Sequence, residues 1–189
     1  WISNSLHVIL PNSKPNALID QLDKDESFKQ YAKETICAFD VGISNISTRS
    51  VSIHEYFGED NEKDKLDIMN QLDSSENENS FIKIMDQFGG QALISKEGDE
   101  YFVREINLHH SSLNNDTKEF GIEEESDGTR RLLDFIPAFY ELGNDRYVFV
   151  VDELERSIHP LLIKELVRKF GENHKSKGQL VFTTHESNL

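Results

Sequence analysis

The chain has 189 residues, with 35 acidic and 20 basic side chains and a formal net charge of −15. This length allows one domain with a sizeable core, and so acidic a surface repels phosphate, which argues against a broad nucleic-acid-binding face. No apolar run approaches the ~18 residues of a membrane span, no signal-peptide pattern opens the chain, and the lone Cys37 fits a reducing compartment. We therefore expect a soluble, cytoplasmic protein.

The first part of the chain is predicted to contain a helix, a strand and an acidic insertion. Apolar side chains at helical spacing predict a helix over about Glu26–Phe39, which Gly42 ends. An alternating pattern predicts a strand over about Ile46–His54. Nine acids and two lysines lie between His54 and Ser80. This composition predicts a solvated insertion with a short helix around Lys65–Leu72.

Further strands and then helices follow. The stretches "FIKIMDQF" and "QALISKEGDEYFVREINL" predict strands, and the second stretch folds into a hairpin at the Gly98 turn. From about Ser126 the pattern predicts a helix that contains Pro137 and ends at Gly143.

The last third alternates between helix and strand. An apolar strand over 147–151 precedes a helix over about Pro160–Phe170, and "GQLVFTTH" predicts a second apolar strand that ends at His185. Helix–strand–helix–strand at these lengths favours a parallel sheet with crossover helices. The predicted fold class is therefore α/β.

Four short polar segments punctuate this region in a fixed order: "ESDGT" at 125–129, "VFVVDE" at 148–153, "RSIHP" at 156–160 and "VFTTH" at 181–185. Each segment alone has a structural explanation. Ser126 can cap a helix, two acids can begin one, "SIHP" can precede a proline-initiated helix, and a histidine can be a hydrogen-bonded structural residue. Their order together indicates a functional site.

The order and spacing resemble the C-terminal half of an ABC-type ATPase of the SMC/RecF-like group, which includes bacterial AAA-type ATP-binding and phage-defence proteins. The matching segments are the signature segment Ser126-Asp127-Gly128-Thr129, the Walker B strand Val148–Glu153, the D-loop Ser157-Ile158-His159-Pro160 and the switch segment Thr183-Thr184-His185. The resemblance covers 121–189. It implies that residues 1–120 form a helical and β-hairpin insertion lobe, with an acidic loop at 54–80. Asp127 and Glu125 stand where transporter-type members have glycine and leucine, which argues against the transporter branch.

The resemblance implies ATP and Mg²⁺ as cofactors. Asp152, after a buried strand, suits Mg²⁺, a hard cation that few carboxylates hold. Glu153 can accept a proton from the attacking water, and His185 is placed to reach the γ-phosphate. The helix N-terminus at the signature segment is a natural anion site.

The resemblance also implies how copies of the protein assemble. The signature segment would contact ATP held by a second copy, and the D-loop residues Ser157 and His159 would lie in the same homodimer interface. An effector protein is a further expected partner.

No G-x-x-x-x-G-K-[ST] phosphate loop occurs in the 189 residues. "GENHKSKG", at 171–178, has Ser176 where the second glycine belongs. We therefore expect the chain to be a piece of a longer protein whose phosphate loop precedes Trp1, and to hydrolyse no ATP by itself.

Two other functions remain open. A metal-dependent nuclease could use Asp152, Glu153 and Glu155, although no D-x-D ends an apolar strand here. A non-hydrolysing nucleotide sensor or interaction module is the second alternative, which the presence of Glu153 disfavours. The pathway, whether DNA repair, phage defence or toxin regulation, is left open.

Overall fold

The computed structural model describes residues 5–10, 18–59, 61–75, 80–85, 91–111, 116–173 and 176–187. They belong to two compact units. The first unit comprises 1–45 with 125–189, and the second comprises 46–124. The functional division at residue 120, between an insertion lobe and an ATPase core, stays a prediction.

The first unit contains a three-stranded parallel sheet in the order β1-β7-β8. These strands are Leu6–Ile9, Val148–Val151 and Gln179–Phe182. Their registers place Ile9 opposite Val151, and Val151 opposite Phe182, so all three strands end together at one carboxyl edge. The predicted parallel sheet is confirmed for the last two strands, which are adjacent, and β1 is a strand that the sequence patterns did not predict.

The described residues of the first unit also form four helices: α1 (Leu18–Lys24), α2 (Glu26–Ala38), α5 (Asp127–Asn144) and α6 (Pro160–Glu172). Helix α5 packs against α1, α2 and β7. Its buried apolar face explains why it continues past Gly143 and through Pro137 as one helix. The buried side chains of α5 include Leu132, Leu133, Phe135, Ile136 and Leu142.

The second unit is built on an antiparallel hairpin. Its strands are β2 (Ile43–Ser52, which continues from the first unit), β3 (Phe81–Met85), β4 (Gln91–Glu97), β5 (Glu100–Ser111) and β6 (Thr117–Gly121). The order is β2-β5-β4-β3, and β6 pairs with the second half of β5. The predicted β4–β5 hairpin is confirmed, with Gly98 at φ 62° in its turn. Residues 86–88, the end of the strand predicted from "FIKIMDQF", lie outside the described residues.

The polar stretch after β2 differs from its prediction. Strand β2 ends at Ser52 because the Ser52 side chain accepts the Glu55 N–H and starts a short helix, α3 (Ile53–Phe57). The next helix, α4 (Glu62–Asp73), confirms the predicted helix but corrects the solvated interpretation. Leu72 is buried in a cluster with Ile94 and Val103 of the hairpin. Ile68 and Met69 of α4 pack against the same cluster, while Glu62, Asp64 and Asp67 are exposed.

Candidate functional site

The turn after β7 is held to both neighbouring strands by backbone hydrogen bonds. The Asp152 N–H donates to the Ile9 carbonyl at 3.0 Å, and the Leu154 N–H donates to the Thr183 carbonyl at 3.1 Å. Leu154 itself is fully buried. The two adjacent carboxylates of this turn, Asp152 and Glu153, therefore start from a fixed backbone at the carboxyl edge.

One hydroxyl group joins these two acids. The Thr183 hydroxyl donates to Asp152 Oδ1 at 2.6 Å and accepts the Glu153 N–H at 2.9 Å. Thr183 directly follows β8, and the two acids directly follow β7, so parallel pairing brings them together. The sequence placed Thr183 in the switch segment but did not identify it as a site residue.

Glu153 has an unusual backbone. Its φ is 50°, in the left-handed region that a side chain with a Cβ seldom adopts. Such conformations cluster at functional sites, where the surrounding structure enforces them. The Glu153 carboxylate is partly exposed and lies 3.6 Å from the Arg156 guanidinium, so solvent and ligands can reach it.

The signature segment forms the N-terminus of α5. Ser126 is the N-cap: its hydroxyl oxygen accepts the Thr129 N–H at 3.1 Å and lies 2.9 Å from the Thr129 hydroxyl. Asp127 pairs with Arg130 one turn later. Ser126 and Asp127 are exposed. The predicted capping role of Ser126 is confirmed, and its predicted role in nucleotide binding stays a prediction.

The signature segment packs directly against the D-loop of the same chain. A Cβ placed on Gly128 would lie 2.8 Å from the Ser157 carbonyl oxygen, closer than real Cβ atoms approach. Ser157 has a φ of 65°. The absence of a side chain at Gly128 therefore lets two segments that are widely separated in sequence touch.

His159 has a structural task in this fold. Its ring nitrogen Nδ1 accepts the Leu161 N–H at 3.3 Å, which caps helix α6 at Pro160. The imidazole is exposed, so this contact leaves room for the nucleotide contact that the resemblance implies.

The switch segment departs from the predicted strand. Strand β8 ends at Phe182, and His185 lies three residues beyond it. The His185 N–H donates to a side chain, Glu155 Oε1, at 2.8 Å. His185 is exposed near the carboxyl edge. Glu155 is a second residue whose contact the sequence did not indicate.

Arg131 connects α5 to the same edge. It is only 7% exposed, donates to the carbonyl of Leu10 at 3.3 Å and lies 4.6 Å from the Phe135 ring centre. Burial lowers the pKa of this guanidinium, an effect that nearby Asp134 opposes. The helix that starts at the signature segment is thus tied to the end of β1.

The donor atoms at this edge suit a hard cation. The Asp152 carboxylate and the Thr183 hydroxyl supply oxygen alone, which fits Mg²⁺ rather than zinc. Over the described residues, no group of three or more His, Cys, Asp or Glu side chains is arranged to hold a metal ion. The nuclease hypothesis requires Glu155 to act together with Asp152 and Glu153. Glu155 instead accepts the His185 N–H, so its position does not support that hypothesis.

Comparison with protein families decides the class. Residues 35–189 match the family described as "AAA domain, putative AbiEii toxin, Type IV TA system". The chain belongs to this family. Membership makes it an AAA-type, ATPase-like nucleotide-binding domain, and the match includes all four segments singled out above.

No curated protein matches the chain. Among the described helices of this AAA-type chain, none is both long and apolar enough to cross a membrane.

Proposed function

We propose that this chain supplies the Walker B, signature and D-loop segments of an ATPase that binds ATP with Mg²⁺ and hydrolyses it between two copies of the protein. The observation that supports this best is the Thr183 hydroxyl, which joins Asp152 to Glu153 at the carboxyl edge of a parallel sheet. Ligands of open α/β sheets bind outside this edge. Membership in an AAA-type family favours a nucleotide as the ligand.

Each acid at the edge has a separate task. Glu153 is the general base and accepts a proton from the water that attacks the γ-phosphate. Asp152 would hold Mg²⁺, which would supply positive charge to offset that of the phosphates. Thr183 fixes both acids, and His185 contacts the γ-phosphate.

The signature segment, Ser126–Thr129, serves ATP held by the other copy. Its hydroxyl and backbone amides lie at the N-terminus of an 18-residue helix, where the helix dipole favours an anion. Ser157 lies against this segment, and His159 caps the next helix. Both residues contribute to the same interface in this proposal. The close contact at Gly128 makes the signature segment and the D-loop one surface.

The test uses a form of the protein that binds and hydrolyses ATP. Glu153→Gln keeps the shape of the side chain and removes the base, so turnover should fall ~10²–10⁴-fold while ATP binding survives. Glu26→Gln, which removes an exposed acid from the first turn of α2, is the matched control and should leave turnover unchanged. Unchanged turnover in Glu153→Gln would remove the general base from the proposal.

Dimer formation is tested with the same variants. Light scattering of Glu153→Gln should show a dimer with ATP and a monomer without it. Adding Ser126→Arg should return the protein to a monomer, because a large side chain blocks the approach of phosphate to the helix amides. A monomer with ATP in Glu153→Gln itself would contradict the two-copy arrangement. The isolated 189-residue chain should show no turnover.

A further inference from the structure

Glu155 connects the turn after β7 to the segment after β8. It lies two residues beyond Glu153, and its Oε1 accepts the backbone N–H of His185 at 2.8 Å. Its other oxygen, Oε2, is shielded from solvent and has no hydrogen-bond partner among the described residues. A carboxylate is a costly group to bury, so its position requires hydrogen-bond donors that favour the charged form.

Donors lie beside the Glu155 carboxylate, the His185 N–H among them. Burial acts to raise the pKa of Glu155, but the backbone N–H groups of His185 and of Glu155 itself, together with the Thr184 hydroxyl, outweigh it and lower that pKa. Glu155 is therefore ionised near neutral pH and holds the His185 backbone by a charge-assisted hydrogen bond.

The hydrogen bond between Glu155 and the His185 N–H lies just beyond the end of the β7–β8 ladder. The β7–β8 ladder continues up to Thr183, whose N–H donates to the Val151 carbonyl at 3.0 Å. Beyond Thr183 the backbone leaves the ladder, and the bond to Glu155 holds the His185 backbone. The position of the His185 imidazole, which starts from that backbone, thus depends on Glu155.

We propose that Glu155 is a positioning residue that fixes the switch histidine, His185, relative to the general base Glu153. The inference rests on the proposed function, because it concerns the same site. Glu155 touches neither the water nor the phosphate in this scheme; it acts through His185.

Three variants of the full-length protein separate this role from a loss of folding. Glu155→Ala removes the acceptor, Glu155→Gln keeps an acceptor oxygen of the same reach, and Glu186→Ala removes one charge from the same segment while leaving the Glu155–His185 bond in place. We expect Glu155→Ala to lower kcat about tenfold or more with little change in KM for ATP, as for loss of a hydrogen bond to a charged group. Glu155→Gln should recover most of that loss, and Glu186→Ala should resemble the parent protein.

A double-mutant cycle provides the decisive comparison. If Glu155 acts through His185, then Glu155→Ala combined with His185→Ala should be no slower than His185→Ala alone. The proposal would be overturned if the double variant lost kcat by the product of the two single losses, or if Glu155→Ala left kcat unchanged.

Amide hydrogen exchange tests the contact without any turnover. The His185 amide should exchange faster in Glu155→Ala than in the parent, Glu155→Gln and Glu186→Ala proteins. Equal exchange in all four proteins would overturn the proposal. A parent protein that hydrolyses no ATP would instead contradict the proposed function, and the exchange result would still decide whether Glu155 fixes His185.

Discussion

The two units each contain a sheet, but their strand directions place polar side chains differently. In the first unit, parallel strands end at one edge, so residues that follow different strands meet there, as Asp152 and Thr183 do. In the second unit, antiparallel neighbours end at opposite edges. Polar contacts there join adjacent elements instead of gathering at one edge.

Two sets of polar contacts in the second unit join adjacent elements in this way. Ser47 Oγ lies 2.9 Å from His109 Nε2, and His109 Nδ1 lies 3.7 Å from Glu119 Oε1, which makes a row across β2, β5 and β6. The Asp73 carboxylate accepts from Lys96 at 2.7 Å and from Tyr101 at 2.5 Å, which ties α4 to the hairpin.

The polar contacts of the two sheets have different origins, and this distinguishes the candidate site from a structural contact. The serine–histidine–glutamate row follows from strand register, because His109 and Glu119 are directly opposed in β5 and β6. The site in the first unit has a feature that strand register alone does not produce. The backbone of Glu153 is strained, and the Thr183 hydroxyl contacts both the Glu153 N–H and the Asp152 carboxylate.

The largest expected effect comes from removing the buried anchor of the site turn. Leu154 is 0% exposed and Leu161, at the start of α6, is 71% exposed. We expect Leu154→Ala to lower the free energy of unfolding by about 2–5 kcal/mol, and Leu161→Ala to change it little. Urea unfolding of both variants measures the difference. Equal losses would mean that the turn is not anchored by its leucine.

A pair of glycine variants tests the close contact between the signature segment and the D-loop. Gly128→Ala places a methyl group 2.8 Å from a backbone oxygen, and overpacking of this kind costs about 1–3 kcal/mol. Gly171→Ala in α6 meets nothing within 4 Å, so it should stabilise the helix by about 0.5–1 kcal/mol. Thermal unfolding should therefore shift in opposite directions. A shift in the same direction would show that the D-loop yields to the methyl group.

The smallest effect is expected in the second unit, and it depends on pH. Hydrogen bonds from Lys96 and then Tyr101 lower the pKa of the Asp73 carboxyl below its ordinary value of 3.8. A lowered folded-state pKa stabilises the protein above the unfolded-state value, and this stabilisation is lost as the pH falls through the folded-state value. Asp73→Asn should therefore unfold at a slightly lower urea concentration than the parent at pH 7. This difference in urea midpoint should narrow below about pH 3.8.

ATP turnover of the full-length protein should not change in Asp73→Asn. A large loss of turnover would contradict the purely structural role of Asp73.

Local patterns determined much of this protein. Apolar spacing predicted α2 to within one residue, Gly98 predicted the hairpin turn, and the helix–strand alternation predicted a parallel sheet for the last two strands. The adjacent acids Asp152 and Glu153 marked the site because no turn residue separates them from a buried strand. These features depend on backbone geometry and side-chain periodicity within a few residues, which a sequence displays directly.

Tertiary structure decided the rest. Strand β1 is short and pairs with a strand about 140 residues later, so its own residues show no sign of that pairing. The acidic stretch that contains α4 gains its structure by burying Leu72 against β4 and β5. Thr183 and Glu155 meet their partners across roughly 30 residues of sequence. Such contacts exist only after the sheet has formed, because parallel pairing brings the ends of separate strands together.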